Sequence, residues 1–103
     1  MSQDLKQIAE DVRSALFPES SPGSFDPTAE WRDLGRLVTA MEARGCFLMT
    51  NSASEPKLKR MASFHRSTPR GFPCVGSSEW GPYATHGEAI LRAAAEALLR
   101  PRA

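Results

Sequence analysis

The chain has 103 residues, 41% of them apolar and 24% charged, the balance of a single globular domain able to bury a modest core. Its formal charge of +1 provides no global field that would commit it to nucleic acid or to a membrane surface. No apolar run approaches the ~20 residues of a membrane span, and the polar start Met1–Gln7 does not read as a signal peptide, so a cytoplasmic location without membrane contact is expected.

From Ser2 to Leu16, Leu5, Ile8, Val12 and Ala15 or Leu16 recur at helical spacing, with Gln3, Lys6, Glu10 and Arg13 turned to water. Asp4 near the start suits the positive end of the helix dipole. Residues Phe17 to Phe25, with two prolines, a glycine and three serines, read as a linker. Asp26 stands as a helix cap with Pro27 in the first helical position. The helix predicted from Pro27 to Arg44 carries a wide stripe of Trp31, Leu34, Leu37, Val38 and Met41, and Gly45 supplies a left-handed stop.

The period then changes. Cys46 to Thr50 reads as a buried strand and Asn51 to Pro56 as a turn. Leu58 to His65 reads as a second strand that places Leu58, Ala62 and Phe64 on one face, making an antiparallel hairpin with Arg60 at its margin. Ser67 to Ser78, rich in Gly, Pro and Ser, reads as a long irregular connection, either functional or mobile. Glu79 to Ala84 reads as a short third strand kept at an edge by its proline.

A closing helix is predicted from Thr85 to Arg100. Thr85 and Glu88 form a capping box, Glu88, Arg92, Glu96 and Arg100 line one face, and Pro101 ends it. Ile90, Leu91, Ala94, Ala97 and Leu98 fall on the other face, and its alanines permit close approach to a sheet or helix. The expected fold is one α+β domain. It comprises an N-terminal helix (1–16), a linker (17–26) and a core (27–100) in which helices cover a small antiparallel sheet of two to three strands, order α-α-β-β-(β)-α. The last helix should bury Ile90, Ala94 and Leu98 against the hairpin and against Trp31, Val38 and Met41.

In the segment running from Phe25, Pro27 and Trp31 through Val38, Met41, Gly45 and Phe64 to Ala89, Ile90, Ala93, Ala94 and Leu98, the chain resembles the phage ABA sandwich family of small bacteriophage and prophage proteins. Met61 stands where that family often has an aromatic. The resemblance implies the same layered fold and a phage-type role by binding, and it brings no catalytic residues.

Four soft metal ligands are present, Cys46, His65, Cys74 and His86, without the paired spacing of structural zinc sites. Both cysteines should be free thiols, and neither metal nor cofactor is expected. No nucleophile elbow or oxyanion loop accompanies His65 or His86, so no enzymatic activity is expected. His86 falls in a first helical turn, where the dipole disfavours a cationic ring. Gly71, Gly76 and Gly81 match no phosphate-cradling pattern.

Two stretches could carry a partner. The loop from Ser67 to Trp80 displays Arg70, Phe72 and Trp80, residue types that dominate interface hot spots. With the phage resemblance, this points to contact with a host bacterial protein, foremost an effector of antiviral defence, in the manner of an anti-CRISPR inhibitor. The loop aromatics could instead fold back onto the core, the commoner outcome for such residues. The runner-up is nucleic acid. Lys57, Lys59, Arg60, Arg66 and Arg70 place five cations within fourteen residues, with Phe64 and Phe72 among them. Against this, lysines on an edge strand also serve simply to prevent aggregation. Oligomeric state is left open between monomer and homodimer.

Overall fold

The computed structural model describes residues 5 to 99, in the order α1 (Leu5–Leu16), α2 (Trp31–Ala43), β1 (Cys46–Ser52), β2 (Arg60–Arg66), β3 (Cys74–Ser77) and α3 (His86–Leu99). This is the α+β class and the α-α-β-β-β-α order that the sequence implies. Ser2, Asp4, Arg100 and Pro101, read above as parts of the terminal helices, lie outside the described residues.

The sheet is antiparallel with β2 in the middle, order β1-β2-β3. β1 and β2 pair without interruption from Cys46–Arg66 to Ser52–Arg60. β2 and β3 pair through Ser63–Ser77, Phe64–Gly76 and His65–Cys74, so Val75 is the extra residue of a bulge. All the helices lie to one side: α3 runs over β2 and β3, α2 over β1, and α1 packs along α3. Between them lies the core of Ile8, Val12, Leu37, Met41, Ala62, Phe64, Ile90, Leu91 and Ala94.

α3 can press close because its inner face is alanine. A Cβ built on Gly76 of β3 would lie 2.5 Å from both the Ala93 carbonyl and the Ala97 amide. Thr85 caps the helix, its Oγ1 accepting from the Glu88 amide at 3.1 Å. Glu88 does not complete the box; it pairs with Arg92 at 3.0 Å instead. Arg92 also lies over the Tyr83 ring, 5.5 Å from its centroid.

Four expectations are corrected. Asp26 caps a turn rather than α2. Its Oδ1 accepts from Thr28 Oγ1 at 2.8 Å and its carbonyl from the Glu30 amide at 2.8 Å. Glu30 is then extended (φ −109°, ψ 112°), and the helix starts afresh at Trp31. The second correction follows from that start. Trp31 occupies the first helical position, about 80–120° round the axis from Leu37 and Met41, and is 82% exposed. It therefore packs against neither α3 nor the core, and Leu98 is only half-buried. Third, the third strand is Cys74–Ser77, inside the stretch read as irregular. The segment Glu79–Ala84 contributes only a bridge between Gly81 and Arg60. Fourth, Lys57, Leu58 and Lys59 belong to the β1–β2 loop, with Leu58 exposed, and β2 is central rather than an edge strand. The edge-lysine explanation of the basic run fails with it.

The linker is ordered by Arg13, which is buried rather than turned to water as expected. Arg13 donates to Glu10 Oε1 at 2.7 Å and to the Ser20 carbonyl at 2.7 Å, while the second Glu10 oxygen accepts from the Gly23 amide at 3.1 Å. Phe17 then packs on Phe25, ring centroids 5.5 Å apart, beneath the Arg36 guanidinium.

Candidate binding face of the sheet

Side chains alternate along a strand. Ala62 and Phe64 of β2 point into the core, so Met61, Ser63 and His65 point away from the helices. The register sets Phe47, Met49 and Asn51 of β1 beside them, and Ser77 and Cys74 of β3 on the other side. No described helix packs over this face.

A tight turn brings Phe72 onto it. The Thr68 amide donates to the Gly71 carbonyl at 2.9 Å and the Gly71 amide returns the bond to Thr68 at 3.1 Å. Gly71 sits at φ 132°, a region where side chains are rarely accommodated. The reversal lets the Pro73 carbonyl accept from the Arg66 amide at 3.1 Å. Phe72 then meets Phe47 edge-on, centroids 5.6 Å apart, and Phe47 stacks on His65 at 5.8 Å.

His65 locks the cluster. Its Nδ1 lies 2.9 Å from the Phe72 carbonyl, which can only accept, so Nδ1 carries the hydrogen. Its Nε2 is hydrogen-bonded to the Ser63 hydroxyl at 2.8 Å. This has the outline of a nucleophile, base and orienting group, but it is not built for acyl transfer. Ser63 is 2% exposed, and the central strand commits its backbone amides to the two ladders rather than to an oxyanion. The pair fixes Phe72. Despite that tether Phe72 is 63% exposed.

The structure divides the residues singled out from sequence. Arg70 and Phe72 belong to one turn and its exit. Trp80 does not join them: it is 39% exposed and precedes Gly81, which bridges Arg60 at the opposite end of β2, about 20 Å away along a seven-residue strand. The basic residues are split in the same way. Lys57 and Lys59 are exposed in the β1–β2 loop, and Arg66 and Arg70 are exposed at the other end. Arg60 is turned to structural use, donating to the Tyr83 carbonyl at 2.6 Å. Phe64 is a core residue. His86 opens α3 exposed, Cys46 is buried and Cys74 exposed, and both thiols are free. Among the described residues, no three His, Cys, Asp or Glu side chains gather as a metal site would require, and no helix is long and apolar enough to cross a membrane.

Sequence reasoning missed Phe47, Met49, Met61 and Ser63 as members of this face. Their alternation with Leu48, Ala62 and Phe64 was a usable signal, but β1 carries large apolar residues in both rows, so pattern alone does not say which of its rows the helices cover.

Charge follows the same division. Cys46 to Thr85 holds five cations and two carboxylates, net +3, while the rest of the chain has eight cations and ten carboxylates, net −2. Of those two carboxylates, Glu79 lines a hollow on the helical side with Asp11, Arg92 and Glu96, leaving Glu55 in the β1–β2 loop. The outward-facing residues of the three strands include no Asp or Glu.

Compared with known protein families, curated proteins and solved structures, the chain gives no match.

Proposed function

We propose that this chain is a non-enzymatic binding protein whose working surface is the uncovered face of the sheet. Phe72 carries the reading. A large aromatic that simply closed the core would be covered, whereas this one is largely exposed and held in place by Phe47 and His65. An anchor fixed before binding loses little side-chain freedom on contact, which favours affinity. Met49, also exposed on this face, adds an adaptable apolar contact.

The phage resemblance supports a finer reading, an inhibitor of a bacterial antiviral defence system that occupies a host effector complex. The anchor in that setting is Phe72 with Arg70 and the β1–β2 face, not a single loop ending in Trp80. The test is expression of the protein in defended bacterial strains followed by phage plating. Rescue is expected with the native chain and should be lost with Phe72→Ala and Arg70→Ala, both of which should melt like the parent. Failure to rescue plating on any defended strain retires the defence setting.

A further inference from the structure

We infer that the occupant of the uncovered sheet face is a short single-stranded nucleic acid, an inference that rests on that face being the binding surface. Bases would lie on Phe72 and the Phe47–His65 stack, and the phosphates would run between Lys57 with Lys59 at one end and Arg70 at the other.

Charge complementarity is the first argument. The partner meets a face without carboxylates on the half of the molecule that carries net +3, while the acidic excess lies elsewhere. Lys57, Lys59 and Arg70 form no ion pair with another described residue. They are free to neutralise phosphates and release counterions. A protein surface can also be acidic, but it does not explain why a carboxylate-free face should be lined with ring systems at this spacing.

The second argument is the kind of contact on offer. Exposed rings on an open sheet bind bases by their faces, which all bases possess, and Asn51, Ser77 and the Met49 and Met61 side chains supply adaptable polar and apolar neighbours. Stacking requires unpaired bases, so a duplex is excluded as the ligand of these rings. The two cationic ends lie about 20 Å apart along β2, a length suited to on the order of four nucleotides. Both cationic ends are exposed, and neither forms the continuous stripe that a rigid duplex would demand.

The test is fluorescence anisotropy with labelled twelve-residue oligo-dT and oligo-rU over a salt series, read beside amide NMR shifts. Binding at low salt is expected, with a log–log salt slope of about −2 for three phosphate contacts on a single strand. Phe72→Ala should weaken it roughly five- to hundred-fold by removing one stacked base. The exposed double variant Lys57→Glu, Lys59→Glu should lower the slope by about two-thirds. Shifts should concentrate on β1, β2 and the turn before Phe72. No binding at low salt, binding indifferent to Phe72→Ala, or shifts centred on the helices would overturn the proposal. A photo-crosslinking phenylalanine analogue at position 72 separates the two levels. If the oligonucleotides fail but this position crosslinks to a host protein, and Phe72→Ala competes poorly for it, the nucleic acid is wrong and the face is right. If neither occurs, both readings fall.

Discussion

Leu91 and Trp31 show how little residue type alone decides at the scale of single side chains. Leu91 is fully buried in α3, and Leu91→Ala should destabilise by ~2–5 kcal/mol, the range for deleting a buried aliphatic side chain. Trp31 is larger but stands in solvent, so Trp31→Ala should stay within about 0.5 kcal/mol, as surface changes do. Half-buried Leu98 should fall between them. Chemical denaturation of the three variants measures this directly, and a Trp31→Ala loss as large as that of Leu91→Ala would contradict the packing. Glu10 gives a second prediction at this scale. The hydrogen bond from Arg13, then that from the Gly23 amide, holds its carboxyl below the usual carboxylate range. A group with a lowered folded-state pKa stabilises at pH above its unfolded value and loses that contribution as pH falls through the folded value. Native protein should therefore exceed Glu10→Gln in stability at pH 6, and the gap should close as pH falls below about 4. Melting curves at both pH values check the sign. A gap that widens in acid would exclude this role for the Arg13 clamp.

Among the elements, α3 was legible because its cap, its alanine face and its acid–base row all agree locally. The start of α2 was not: Asp26 and Pro27 are sound start signals, yet they open a separate turn, and the extended Glu30 separates it from the helix. The break is held by side-chain bonds that the start signals do not announce, including the one from the Asp26 amide to Asp33 Oδ2 at 2.9 Å. β3 was illegible for a related reason. A strand of four residues containing glycine reads as a loop, and only the approach of α3 explains why glycine belongs there. That yields the element-scale prediction. Gly76→Ala should force α3 off the sheet, because the added carbon meets helix backbone rather than a side chain that could turn aside. Overpacking of this kind costs about 1–3 kcal/mol, a fall in Tm of roughly 4–8 °C per kcal/mol in a domain of this size. Calorimetry showing an unchanged Tm would mean that α3 and β3 are not in backbone contact.

Over the whole molecule, one arrangement produces both stability and the candidate surface: every described helix lies to one side, so the core closes on one face of the sheet and the other is left for contact. The sequence carries the class and order of this fold, but the open face could be assigned only once the helices were placed. The two cysteines report on the same arrangement. Cys46 opens β1 opposite Arg66, and Cys74 opens β3 opposite His65, so they flank the same end of β2. Two strand spacings put them about 10 Å apart, beyond the ~7 Å that a disulfide can span. Cys74 is exposed, while Cys46 is sealed in the core. In native protein one thiol should therefore react promptly with a disulfide reagent and the second only as the domain opens. The slow step should accelerate in Gly76→Ala and Leu91→Ala, which loosen the core, and remain at the native rate in Trp31→Ala and Phe72→Ala, which alter only the surface. Mass spectrometry of the singly labelled species should place the fast label on Cys74. Two thiols reacting at one fast rate, or a slow step insensitive to the core variants, would show that β1 is not sealed beneath α2 and α3 as the layered fold requires.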